Sequence, residues 1–460
     1  MIPPDLAYSK TIDSSKRLFN NIPIPNPAQL AWQEAELGLL FSYDLHVFDG
    51  KRYQQPINRT TPISDYNIFS PESLDTDQWI TAAKAMGARF ALITATHETG
   101  FALYQSDVNP YCLKAVKWQE GKGDIVRDFV NSCRRYGIEP GIYIGIRWNS
   151  FYGVYDFQVD GQGTFGQNRQ IQYRRMAEGM VEELCSRYGP LFEIWFDGGA
   201  DHPDRGAPDV LPIVKRYQPK ALFYHNAQLA EARWGGSESG TVPYPCWATF
   251  PYPSTDGKTY PKILDNNFDL LKTGDPNGSY WMPAMSDAPL RGYKGCHEWF
   301  WEPGDEGHIY PLKQLMNIYN KSVGCNSTLI LGITPDPKGL VPEPDTKRMR
   351  EFGQEIGRIF NKPIASVSGQ QNDLNLEFSD STQIDLIVLQ EDIQYGERVR
   401  EFIIQNYSNG KWQDISSGSC IGHKRIIQIN PLKIKKIRLK ILASVNQPLI
   451  KRFAVYNSWR

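Results

Sequence analysis

Between residues 29 and 362 the chain alternates two patterns of apolar and polar positions; from 363 onward it keeps one. In the first region, segments with apolar residues three and four apart are followed by short unbroken apolar runs. The first pattern gives a helix one face to bury, and the second suits a strand covered on both sides. Residues 75–87 predict a helix with Asp75 as its cap and Gly87 as its stop, and residues 89–94 the strand after it. Helical spacing recurs over 124–136, 171–188, 210–217, 312–323 and 345–360, and apolar runs recur over 37–40, 141–146, 191–196, 221–225 and 328–333. Strands alternating with helices build parallel βαβ units. The expected fold is α/β, a (β/α)8 TIM-like barrel over residues 29–362. A doubly wound open sheet is the alternative, but no Gly-rich phosphate loop follows the first strand. Residues 1–28 end in Ile22-Pro23-Ile24-Pro25-Asn26-Pro27 and predict an extended lead-in. Residues 227–310 predict an irregular insertion of the kind that shapes a substrate site. After residue 363 the helical period vanishes. Strand-like runs over 374–378, 384–389, 399–407, 425–429, 437–442 and 453–456 predict a C-terminal β-sandwich over 363–460.

Charge and composition narrow the function classes. There are 50 Lys+Arg against 51 Asp+Glu, a net charge of -1. That balance argues against a nucleic-acid partner and against a polybasic membrane anchor. Nothing approaches the roughly 18 consecutive apolar residues of a membrane span. Aromatic residues make up 12 %, with 24 Tyr and 12 Trp, which suits an uncharged polar ligand that stacks on rings, such as a sugar. Seven Cys are scattered without a C-x-x-C pair, which argues against zinc and dithiol redox sites; Cys133 and Cys185 fall in helical patterns and read as core thiols. The start lacks a basic stretch followed by an apolar run, and N-x-S/T sequons stand at Asn58, Asn277, Asn320, Asn326 and Asn406. The expected compartment is secreted, periplasmic or lysosomal-type with any signal removed, the cytoplasm being the alternative.

In a barrel of this kind chemistry gathers where strands end. Residues 91–94 exit into Ala95-Thr96-His97-Glu98-Thr99-Gly100-Phe101, the next strand into Arg147-Trp148-Asn149, the next into Asp197-Gly198-Gly199, and the next into His225-Asn226. The first exits through Phe41-Ser42-Tyr43-Asp44-Leu45-His46. Titratable groups and Trp at five exits on one rim point to a functional face. Asp197 stands out, because it directly follows an apolar strand and two glycines leave room for a ligand. Glycoside hydrolysis needs a second carboxylate. Glu231, Glu238 and Asp256 are candidates, Glu238 being flanked by glycines and near Trp234. Cys296-His297-Glu298-Trp299-Phe300-Trp301 offers rings for a sugar face, whereas Trp79 and Trp195 read as structural.

Several stretches resemble glycoside hydrolase family 29, the α-L-fucosidases, over most of residues 30–360. These are Phe69-Ser70-Pro71-Glu72 leading to Trp79, His97 to Phe101, Glu193-Ile194-Trp195-Phe196-Asp197-Gly198, Arg233 to Gly240, Tyr280-Trp281-Met282-Pro283-Ala284, and Ser322 through Asp336. The R-W-x-G-x-E-x-G form resembles the subgroup acting on branched α-1,3 and α-1,4 linkages. The resemblance implies a retaining mechanism without metal or organic cofactor, acting on a fucosylated oligosaccharide or glycan. Asp197 then matches the nucleophile and Glu238 the acid/base, His97 a residue holding sugar hydroxyls, and Trp299 a ring packed on the fucose methyl. The family's H-H-D-G-F reads His97-Glu98-Thr99-Gly100-Phe101 here, and F-x-H-[FW]-G reads Phe41-Ser42-Tyr43-Asp44, with His46 as a replacement for the missing His. The W-D-R exit reads Arg147-Trp148-Asn149. Expected substrate contacts are therefore His46, His97, Glu98, Trp148 and Trp299. The altered residues fall in the sugar pocket. A retaining glycosidase for a sugar of galactose-like configuration, or a non-catalytic carbohydrate-binding barrel, are the other readings.

Overall fold

The computed structural model describes residues 22–266 and 268–458; the expected lead-in lies outside the described residues up to position 21. Residues 22–26 are extended, but helix α1 (Pro27–Ala35) begins inside the predicted lead-in. Its start is locally encoded: Asn26 and Gln29 form a reciprocal capping box, and Pro27 occupies the first turn.

Strands β1 (Leu37–Phe41), β2 (Phe90–Thr96), β3 (Glu139–Ile144), β4 (Glu193–Ala200), β5 (Leu222–Asn226), β6 (Arg233–Trp234), β7 (Ala284–Pro289) and β8 (Ser327–Ile333) form one eight-stranded parallel sheet. Its order, β5-β4-β3-β2-β1-β8-β7-β6, is a ring nearly closed between β5 and β6. The two-residue period of a strand divides its side chains. Leu40, Leu92, Tyr143, Trp195, Tyr224, Met285 and Ile330 pack together inside the ring. Leu39, Phe41, Ala91, Ile93, Ile142, Ile194 and Phe196 belong to the larger cluster shared with the helices. Those helices are α2 (Thr76–Met86), α3 (Ile125–Tyr136), α4 (Gly163–Arg187), α5 (Leu211–Tyr217), α6 (Leu312–Lys321) and α7 (Glu343–Phe360). Helix α2 is capped by Asp75 and stopped by Gly87 at φ 90°, as its sequence predicts. Helix α4 starts eight residues earlier than expected, at Gly163 rather than 171. Its first turns are polar and mostly solvent-exposed, so they carry no apolar period to read.

The predicted insertion 227–310 contains two barrel strands. β6 is only two residues long, and the apolar run of β7 is interrupted by Ser286 and Asp287. Both polar residues are nonetheless buried, because β7 sits between two neighbours in the ring.

The C-terminal strands are β9 (Ala365–Gly369), β10 (Asp373–Glu391), β11 (Val399–Ser408), β12 (Lys411–Gly418), β13 (Arg425–Ser444) and β14 (Ile450–Tyr456). They hydrogen-bond as one antiparallel six-stranded sheet, order β9-β14-β10-β13-β11-β12, around a separate apolar core. The long strands β10 and β13 absorb pairs of the predicted short runs. Register shifts between Glu377 and Thr382 and between Ile384 and Leu386 mark where they bend. The sheet docks on the barrel by adding Leu386, Val388, Ile426, Ala454 and Tyr456 to the barrel's core, and by polar contacts. Tyr244 donates to the Cys420 carbonyl at 2.9 Å, the His423 amide donates to Asn326 Oδ1 at 2.7 Å, and Glu36 meets His423 at 3.0 Å.

Candidate active site

Alternation along β4 turns Ile194 and Phe196 outward to the helices and Trp195 and Asp197 toward the ring interior. Gly198 and Gly199 then take φ of 60° and 77°, values costly for any residue with a Cβ. A Cβ at Gly199 would lie 2.8 Å from His225 Nε2, so the strand end and the His225 ring pack only because glycine is there. Asp197 is half-buried and faces the Tyr143 hydroxyl on β3. Burial first, then the Asp197 charge, pushes the Tyr143 hydroxyl well above its ordinary range, so it remains a donor.

Glu238 comes from the loop after β6. Trp299 Nε1 donates to its Oε2 at 2.9 Å, and His297 Nε2 contacts the same oxygen. A third carboxyl joins these two. Asp287 on β7 is buried and accepts from Trp234 Nε1 at 3.0 Å. Burial first, then the Glu238 charge, pushes it well above the usual carboxylate range, with Asp197 adding to the effect. Burial and the Glu238 charge thus favour its protonated form where it faces both acids.

Trp195, Asp197, Glu238 and Asp287 form a wall shared by two cavities. The smaller, about 300 Å³, is completed by residues such as Ser42, Tyr53, Arg59, His97, Glu98, Tyr143, His297, Trp299 and Phe300. The larger, about 500 Å³, extends over Arg147, Asp156, His225, Trp234, Asp256 and Lys258. Burial and, less, the Arg147 charge lower His225 to about 4, so its ring is neutral there.

The expected contact residues divide. His97 lines the smaller cavity and stacks on Tyr143 with centroids 5.6 Å apart. Glu98 lines it too, but its carboxylate is held by the Tyr53 hydroxyl at 2.5 Å and Arg59 Nε at 2.7 Å. The charge added by Glu98 is thus matched by Arg59. Trp299 lines the cavity beside Glu238. Trp148 lines neither cavity; its ring lies 3.6 Å from the Arg59 guanidinium and braces it. His46 also lines neither. It is buried behind the wall, against Phe300 at 4.2 Å and Tyr53 at 4.9 Å, with Nδ1 3.3 Å from Asp44. Of the other acids considered, Glu231 is tied to Lys215, Asn26 and the Phe223 amide, and Asp256 to Arg205 and its own loop. Trp195, expected to be structural, lines both cavities. Sequence reading missed Tyr53, Arg59, Tyr143 and Asp287. Tyr143 was reachable, since it shares the inward face of its strand, whereas Tyr53 and Arg59 sit in a loop without periodicity.

Residues 31–357 match the family model described as alpha-L-fucosidase. The chain is 25 % identical to alpha-L-fucosidase 1 of Arabidopsis thaliana, covering 95 % of this chain and 88 % of the relative. A crystal structure from Bacteroides thetaiotaomicron VPI-5482, provisionally named an alpha-L-fucosidase, is 57 % identical, with a TM-score of 0.93 over 95 % of this chain and 99 % of that one. A Ruminococcus gnavus GH29 fucosidase, solved in complex with fucose, shares the fold at 19 % identity, with a TM-score of 0.79 and 95 % of each chain covered. With 327 of its residues matched by one family model and a barrel rim bearing paired carboxylates, the chain belongs to the α-L-fucosidase family of glycoside hydrolases, family 29.

Proposed function

We propose that this enzyme is a retaining exo-α-L-fucosidase that acts on branched α-1,3 and α-1,4 linkages of oligosaccharides or glycans. The observation that carries the reading is the shared wall. Asp197 and Glu238 stand together between a small ring-lined cavity, fit for one sugar, and a larger one open to the rest of the chain. Asp197 attacks the anomeric carbon and forms a glycosyl ester while Glu238 protonates the departing oxygen; Glu238 then takes a proton from the water that cleaves the ester. The Tyr143 hydroxyl faces Asp197, and the Asp287 carboxyl lies close enough to feel both acids. His97 binds sugar hydroxyls, and Trp299 packs on the fucose methyl. The relative from Ruminococcus gnavus holds fucose on the same fold. The linkage preference is supported by Arg233-Trp234-Gly235-Gly236-Ser237-Glu238-Ser239-Gly240, which matches that subgroup's pattern.

Turnover of a panel of aryl glycosides tests the sugar, and the configuration of the first-formed product, followed by NMR, tests retention. The expected outcome is release from the α-L-fucoside with retained configuration, and loss of at least about 10³-fold in kcat in Asp197→Ala. Unchanged turnover in Asp197→Ala, or an inverted product, overturns the mechanism. Because Glu98 and Ser42 depart from the family pattern in the sugar-sized cavity, a galactose-configured substrate is the second reading, and the same panel decides it.

A further inference from the structure

Outside the acids already assigned, one side-chain cluster has no role. Cys296 Sγ, a Glu298 carboxylate oxygen and a His308 ring nitrogen lie within 4.8 Å of one another. His308 Nδ1 contacts Glu298 Oε1, and Asp305 Oδ1 lies 3.7 Å from the same nitrogen. Glu298 and Asp305 are 9 % and 8 % exposed. Each keeps one buried carboxylate oxygen, Glu298 Oε2 and Asp305 Oδ2, without a hydrogen-bond partner. Arg52 approaches Asp305 only at 3.6 Å and spends its Nε on Glu302 at 2.7 Å. Buried carboxylate oxygens left without a donor are costly, and a cation between them removes the cost.

We propose that Cys296, Glu298 and His308 form a structural zinc site, with Asp305 completing the shell directly or through water. The donor set supports this assignment: thiolate, imidazole and carboxylate together are ligands of a borderline divalent ion, whereas calcium and magnesium take oxygen alone. On binding, the Cys296 thiol gives its proton to solvent and the thiolate joins the ion. No C-x-x-C pair announces the site, because its ligands are spaced Cys-x-Glu and then ten residues on to His308.

The location gives the ion a task. Cys296 and Glu298 bracket His297, and Trp299 follows; His297 and Trp299 are the two side chains that hold Glu238. An ion fixing 296 and 298 to 308 would clamp the segment that positions the acid/base. This consequence, though not the binding itself, rests on the proposed role of Glu238.

The test uses the untagged full chain, stripped with a chelator and then titrated with Zn²⁺ against a chromophoric competitor. About one equivalent should bind with Kd below about 10⁻⁷ M, and Cys296→Ser and His308→Asn should each weaken it by at least about 100-fold. Co²⁺ loaded into the unmodified chain should show a thiolate-to-cobalt charge-transfer band, absent in Cys296→Ser. Absence of that band in the unmodified chain overturns the proposal whether or not the variants fold. Zinc affinity unchanged in Cys296→Ser overturns it as well. Stripping should lower kcat about tenfold on the aryl α-L-fucoside with recovery on zinc addition. A zinc-loaded enzyme that ignores every fucoside counts against the proposed function and leaves the metal result standing.

Discussion

Three carboxyls, Asp197, Glu238 and Asp287, share the wall between the two cavities, where like charges disfavour one another. Asp287 is the most buried of the three, and burial together with the Glu238 charge favours its protonated form. A neutral amide of the same shape should then replace it. Asp287→Asn is expected to keep kcat/KM within about fivefold, while Asp287→Ala leaves Trp234 Nε1 without its acceptor and frees the Trp234 ring that lines the larger cavity. Steady-state kinetics on both variants check this, and a collapse in the Asn variant would mean the carboxylate itself is required. Tyr143 acts on the other acid. Tyr143→Phe removes the hydroxyl that faces Asp197, so kcat should fall about 10- to 100-fold with little change in KM. Individual residues were unevenly legible. Asp197 was readable because an apolar strand and two glycines frame it. His46 was misplaced because chain proximity to a strand end does not say which way a ring points; Asp44, Tyr53 and Phe300 hold it behind the wall.

At the scale of elements, the β4 terminus depends on glycine beside the candidate site. Gly199 combines φ of 77° with a His225 ring that leaves no room for a methyl group. Gly199→Ala should therefore lower stability by about 1–3 kcal/mol and disturb Asp197 two residues away. Chemical denaturation reads the first effect. A kcat loss in the folded variant reads the second, and a fully active, fully stable variant would show that β4 tolerates a Cβ. Element legibility followed periodicity. Helix α2 and strand β2 appeared where predicted because caps, glycine and an unbroken apolar run all agreed. β7 was invisible because Ser286 and Asp287, which serve the interior and the site, break the run that identifies a buried strand.

For the whole molecule, the division into barrel and β-domain was readable from the loss of helical period after residue 363. The joint between them was not, since Glu36 with His423 and Lys424, and Asn326 with Glu397, pair residues far apart in sequence. That joint and the barrel core together set how stability responds to pH. Glu193, fully buried with one hydrogen bond from Trp32, is pushed up to about 8 by burial, and Glu397 to about 7 by burial and then by Glu391. Both folded values lie above the ordinary 4.5. Their contribution is complete below that pH and is lost as pH rises through 7 and 8, at up to about 1.4 kcal/mol per pH unit for each group. Glu36 runs the other way. Burial would raise it, but Lys424 and His423 outweigh burial and hold it far below the carboxylate range. Its contribution is present above 4.5 and fades as pH falls. The two trends cross on the mildly acidic side, so the thermal midpoint should peak near pH ~5 and decline toward pH ~8. Glu193→Gln removes one titrating group while keeping an acceptor for Trp32. Its midpoint should drop less than the parent's between those pH values. An equal drop in both proteins would mean Glu193 does not change its charge over that range, and the buried core of the barrel would then not be what makes the fold acid-preferring.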